Sequence, residues 1–298
     1  MTRKDRITQI AIGSILVALI VMAIKYWAYH VTSSVALYSD ALESIVNVIT
    51  AFIALYAVRV SARPADEDHP FGHHKAEYFS AVVEGALIIV AALLILEEAW
   101  ITFRNPRVLT QPAEGIAINT VAAVLNAVWS FLLVRLGRRW RSPALIADGK
   151  HLLTDVLTTV GVLVGLSLVL LTGWIVLDPL LAALVAVNIL WQGWRLLSES
   201  VDGLMDKAVS SEIERDIRAV ISQNAGGAME VHDLRTRAAG QAIFVEFHMV
   251  VPASMTVAES HSICDKVEDA LRAAIEGVRI VIHVEPEEKA KQQGVPVL

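Results

Sequence analysis

Six long apolar runs fill the first two-thirds of this 298-residue chain, and they restrict its fold more than any other feature. They cover roughly Ile7–Tyr29, Ser34–Val60, Glu77–Thr102 and Ile116–Val134, then a run from near Ala144 that is uncharged from Val156 toward Thr172, and finally Pro179–Leu197. A helix needs about 20 residues to cross the hydrocarbon of a bilayer. One such run also fits a buried core helix, but six in series predict a helical membrane protein. A hydrophobic share of 55%, a charged share of 19% and a mean hydropathy of +0.55 exclude a disordered chain and an ordinary soluble enzyme.

The first run follows Arg3, Lys4 and Arg6 in the manner of a signal peptide. It lacks a small-residue cleavage site, so it reads as a mature helix. The charge divides at the same place as the hydropathy. Residues 1–207 carry net −1 and residues 208–298 net −5, within the −6 of the whole chain. No basic footprint points to nucleic acid. Basic residues gather in the N-terminal segment, in the second-to-third connection (Arg59, Arg63, Lys75) and in the fourth-to-fifth (Arg135, Arg138, Arg139, Arg141). The positive-inside rule therefore places both termini in the cytoplasm of a plasma-membrane protein bathed in lipid. The expected division is a transmembrane domain 1–207, a cytoplasmic domain 208–286 and a flexible tail 287–298.

Ionisable groups at membrane depth are costly and mark function. Asp40, Glu43 and Asn47 fall at i, i+3 and i+7, on one helical stripe; His151 and Asp155 fall at i, i+4. Together they offer an imidazole, carboxylates and an amide, a set suited to Zn²⁺, with Fe²⁺ and Co²⁺ next. Asp40 is either a further ligand or a polar residue near the outer end of its span. Asn47 is either a ligand or an interhelical hydrogen-bonding residue. Lys25 reads as a snorkelling or ion-paired side chain. One cysteine, Cys264, excludes a multi-thiolate zinc site, so any metal is held by nitrogen and oxygen.

The connection after the second span reads Arg63-Pro-Ala-Asp-Glu-Asp-His-Pro-Phe-Gly-His-His-Lys75. It places Asp66, His69 and His73 within eight residues, with Pro70 and Gly72 to bend the chain. Residues 208–286 read as α-β-β-α-β. Ser211 with Glu214 and Thr256 with Glu259 match capping boxes, and Ala239-Gly240 marks a turn. Along 243–251 the odd positions are apolar, while Glu246 and His248 face the other way. His232, His248, His261 and His283 fall on four elements; His283 shares a strand face with Glu285, and this concentration suggests metal sites.

His69-Pro-Phe-Gly-His73 with Lys75-Ala-Glu77, the acidic stripe of the second span and His151-x-x-x-Asp155 resemble the cation diffusion facilitator family over nearly the whole chain. The resemblance implies a homodimeric exporter of divalent metal ions in exchange for protons. It implies transport ligands Glu43, Asn47, His151 and Asp155, and a loop site of Asp66, His69 and His73. It places regulatory metal at His232, His248, His261, His283 and Glu285 of a ferredoxin-like domain. It also implies an interlock of Lys75 with Asp206. The family usually has Asp/Asp or His/Asp in the second span, so Asn47 departs from it. His151 argues against manganese, since manganese members tend to carry a carboxylate there.

Two other classes fit less well. An intramembrane metalloprotease would show His-Glu-x-x-His, and no such run occurs. A membrane-anchored metal sensor has no need for Glu43, His151 and Asp155 at depth.

Overall fold

A computed structural model describes residues 3–291 except 141, 142 and 241. Six helices come first: α1 (Arg3–Thr32), α2 (Val35–Ser61), α3 (Ala76–Arg104), α4 (Pro112–Trp140), α5 (Pro143–Thr172) and α6 (Leu177–Leu204). All six are long and apolar enough to cross a membrane. The α-β-β-α-β order then appears as α7 (Ser211–Asn224), β1 (Glu230–Ala239), β2 (Ala242–Val251), α8 (Val257–Ala274) and β3 (Val278–Pro286).

Contacts divide the chain into two units that are not consecutive in sequence. One holds the chain up to Leu55 with Ser80–Leu197; the other joins Tyr56–Phe79 to the segment from Ser198 onward. The α2–α3 connection thus packs with the C-terminal part.

In the first unit small residues set the helix spacing. A Cβ on Gly193 would stand 2.8 Å from Ile88, and one on Gly85 would stand 3.0 Å from the Gly193 carbonyl, so α3 and α6 meet at backbone distance. Ala28, Leu37, Ala92, Ile95, Leu166 and Ala186 form the dry interior. Large apolar side chains such as Phe131, Leu157 and Leu184 stay exposed, in keeping with helices apolar enough to cross a membrane. The start of α2 is capped from a distance in sequence. Asp178 accepts from the Ser34 hydroxyl at 2.5 Å and from the amides of Val35 and Ala36 at 2.8 and 3.3 Å, satisfying groups a helix leaves orphaned.

In the second unit β2 is the central strand, antiparallel to β1 and parallel to β3. The alternation along β2 buries Val245, Phe247 and Met249 against Ile217 and Ile221 of α7 and Val267 and Leu271 of α8. The Thr256–Glu259 capping box is present in full at α8. At α7 the cap is Ser210, one residue before the expected Ser211; its side chain accepts from the Ile213 amide. Val209 is buried in the core and fixes the chain one residue earlier than the capping pattern implies. The segment expected to be a loose tail continues as a 3₁₀ turn, Glu287–Lys289. Lys291 then bonds back to Glu230 through its amide and to Asp233 through its ammonium. The rest of that expected tail, 292–298, lies outside the described residues.

Candidate metal centres

Within the membrane unit, α2 and α5 bring Asn47 and Asp155 together across 108 residues of sequence: the Asn47 amide donates to Asp155 Oδ2 at 3.2 Å. His151, one turn before Asp155, holds its Nε2 4.0 Å from the same oxygen. Glu43 joins Asn47, His151 and Asp155 around a cavity of about 60 Å³, with Glu84 and Gln192 on its wall. Asn47, His151 and Asp155 also line a second cavity of about 270 Å³. That cavity extends toward Ser14 near the start of α1, Leu55 near the end of α2 and Asp148 near the start of α5. All four predicted transport residues therefore border one space. Asn47 is bound as an interhelical hydrogen-bonding residue and also lines the cavity. While its N–H₂ group orients Asp155, its carbonyl oxygen is chemically able to meet a cation.

Asp40 is differently engaged. Its Oδ1 accepts from Lys25 Nζ at 2.7 Å and Thr159 at 2.9 Å, and its Oδ2 from Asn119 at 2.9 Å. Lys25 is thus ion-paired at depth, not snorkelling. Sequence reasoning did not single out Asp148, which stands three residues before His151 on the same stripe and accepts from Ser14 at 2.8 Å.

In the loop, Asp66 accepts the His69 amide at 2.7 Å and lies 3.3 Å from His69 Nδ1 and 3.4 Å from His73 Nε2. One ligand atom from each of the three residues falls within 4.8 Å of the others. The hydrogen bond from the His69 amide, then the field of His73, hold the Asp66 carboxyl below its ordinary value. The loop closes because Gly72, at φ +84°, lets its amide reach the His69 carbonyl at 2.9 Å. Lys75 leaves the loop to meet Asp206 at 2.9 Å, and Arg237 reaches the same carboxylate oxygen at 3.1 Å, so the predicted pair is a triad. Arg237 also lies over the Phe244 ring at 4.1 Å.

Strand register builds the third cluster. His232 pairs with His248 across β1–β2, and His248 with His283 across β2–β3, which sets three imidazoles in one row. Adjacent rings are 5.4 and 4.8 Å apart. Glu285 sits at 3.2 Å from both His232 Nε2 and His248 Nδ1 and 3.7 Å from His283 Nε2. Despite these distances, both His232 nitrogens, His248 Nδ1 and Glu285 Oε2 are buried without a hydrogen-bond partner. Lone pairs that converge without hydrogen bonds fit a divalent cation. A register irregularity after His232 puts Asp233, at φ +50°, close enough to complete a trio with His232 and His248, which the sequence did not reveal. His261 pairs with Asp265 at 3.7 Å on the exposed side of α8. Among the described residues no ion pair or ring contact joins it to the row.

Residues 11–205 match the cation efflux transmembrane domain, and residues 209–287 match the cation efflux protein cytoplasmic domain. An uncharacterized transporter of Synechocystis sp., sll1263, is 44% identical over 96% of this chain and 92% of its own. The cation-efflux pump FieF of Serratia proteamaculans is 32% identical over 93% of this chain and 91% of its own. A solved structure of CzrB in its zinc form is 45% identical over 29% of this chain and 98% of its own, with a TM-score of 0.28.

Proposed function

This chain belongs to the cation efflux, or cation diffusion facilitator, family, and on that premise we propose that it exports Zn²⁺ in exchange for protons, as a homodimer with both termini in the cytoplasm. It is a multi-pass membrane transporter of divalent metal cations, not an enzyme. The observation that carries the finer reading is the convergence of Glu43, Asn47, His151 and Asp155 on one cavity inside the helix bundle.

Two carboxylates match the charge of one divalent ion, and the imidazole favours Zn²⁺ over harder cations. Fe²⁺ and Co²⁺ follow as lesser cargoes. His151, Glu43 and Asp155 bind metal only when deprotonated. Protons arriving from the far side compete for the same lone pairs and release the ion, which couples the two flows. The larger cavity reaches the α2–α3 side of the bundle, the side that carries the basic connections, so the ion enters from the cytosol. Alternating access then turns the site outward. The imidazole row with Glu285 is the regulatory site. Metal bound there would supply positive charge to its unpartnered donors and favour the closed dimer. The dimer itself is carried over from the family.

The test is metal-driven proton movement in proteoliposomes. Asp155→Ala should abolish both Zn²⁺ flux and the accompanying pH change while leaving the protein folded. Near-normal flux in that variant would overturn the assignment of the transport site. Zn²⁺ flux with no counter-movement of protons would overturn the antiport.

A further inference from the structure

The membrane unit holds a second polar cluster that the transport site does not use. Lys25 of α1 is 2% exposed, one of the largest fully buried side chains among the described residues. Besides its 2.7 Å bond to Asp40 of α2, it donates to Thr159 of α5 at 3.1 Å. With Asn119 of α4 on the other carboxylate oxygen, four helices close on one ion pair. A buried pair of this kind is weak support for stability, since apolar residues of similar volume often do as well. Its position suggests another use.

The cavity that leads to the transport site ends on α1 at Val21, on α2 at Ser44, on α4 at Asn126 and on α5 at Asp155. Lys25 lies four residues beyond Val21, Asp40 four before Ser44, Asn119 seven before Asn126 and Thr159 four beyond Asp155. On every one of these helices the cluster is the layer one or two turns past the end of the cavity, toward the α1–α2 turn. Farther in that direction lie Ala28, Leu37 and Leu166 of the dry apolar core. A divalent ion on Glu43 and Asp155 thus finds an open cavity on one side and a fixed ammonium on the other.

We propose that the Lys25–Asp40 pair, braced by Asn119 and Thr159, is the closed exit gate of the transport path. Lys25 occupies with its own charge the step a departing cation must cross, and the ion leaves only when Lys25 and Asp40 separate. This rests on the transport site assigned above.

Sidedness of labelling tests the gate independently of flux. Ala18 lines the cavity, and Ala18→Cys in a Cys264→Ala background gives one thiol there. A membrane-impermeant maleimide is applied to each face of the membrane, and the rates are compared. In the parent the thiol should react from the α2–α3 side and resist the α1–α2 side. Adding Lys25→Met with Asp40→Leu removes both charges together, so no unpaired charge remains buried. Labelling from the α1–α2 side should then rise at least about tenfold. Thr159→Val with Asn119→Leu leaves the pair but removes its braces, and should give a smaller rise in the same direction. An unchanged rate in the folded double-charge variant overturns the gate. Should that variant fail to reach the membrane, an unchanged rate in the brace variant overturns it instead. A parent without metal-driven flux but with the expected change of sidedness would leave the gate standing and remove the cargo assignment.

Discussion

Glu285→Gln tests the proposed regulatory row most directly, because three imidazoles are arranged around that one carboxylate. The substitution keeps the shape and removes the charge. Loss of a ligand or of the group that orients one lowers metal affinity about 10–100-fold. With free Zn²⁺ at about 100 times the wild-type Kd, binding should stabilise the folded unit by about 2.7 kcal/mol, which slows exchange through global opening about 100-fold. At the same free metal, the weakened site should stabilise by only about 1.4 to 0.4 kcal/mol, a slowing of about tenfold to twofold. Without metal the variant should cost little, since Glu285 Oε2, His248 Nδ1 and both His232 nitrogens have no hydrogen bonds to lose.

The probe has to be chosen with the sequence in mind. All seven tryptophans precede residue 208, so intrinsic fluorescence is blind to this unit. Hydrogen exchange read by mass spectrometry on full-length protein reports it through the buried β2 residues Val245, Phe247 and Met249. Equal slowing by Zn²⁺ in wild type and variant would refute the site. So would a variant that already exchanges much faster in chelator, because Glu285 would then be holding the sheet together and not a metal.

Three further outcomes follow from the geometry. Asp206→Asn removes two partly exposed ion pairs, with Lys75 and Arg237, and should loosen the 62–75 loop by on the order of 1 kcal/mol, read by hydrogen exchange of that peptide. The Lys75 hydrogen bond, then Arg237, holds the Asp206 carboxyl below 3.8, so the interlock is complete at neutral pH and is lost only as pH falls through that lowered value; the effect of the variant should be the same at pH 7 and pH 5. Asp148→Asn, at the entrance of the larger cavity, should raise the Zn²⁺ concentration for half-maximal flux several-fold with little change in maximal rate, whereas loss of maximal rate alone would place Asp148 in the transport step. Gly193→Ala puts a methyl 2.8 Å from Ile88 and should lower thermal stability in detergent by about 1–3 kcal/mol; an unchanged midpoint would show that α3 and α6 do not pack this closely.

Local patterns in the sequence carried most of the fold. Six apolar runs predicted six helices, the alternation along 243–251 identified the buried face of β2, and Thr256 with Glu259 marked the start of α8. Each depends only on neighbours a few residues away. Where two local signals compete, the capping pattern alone misleads: Ser211 has the better pattern, but with Val209 buried in the core Ser210 is the cap. The site residues separate in the same way. The stripe Glu43–Asn47 and the turn His151–Asp155 were legible because each lies on one helix. The bond from Asn47 to Asp155 and the partners of Lys25 depend on which helices adjoin, which no periodicity encodes. The imidazole row is the sharpest case. A shift of one residue between β1 and β2 would move His232 to the opposite face and dissolve the row. Residues 248–251 run parallel to 283–286 and residues 248–250 oppose 232–230 antiparallel, and the irregularity that admits Asp233 comes only after His232, so it leaves this register intact. The register that buries Val231, Phe247 and Met249 is therefore the same one that aligns the three histidines, so hydrophobic burial fixes the geometry of the proposed metal row before any metal is bound.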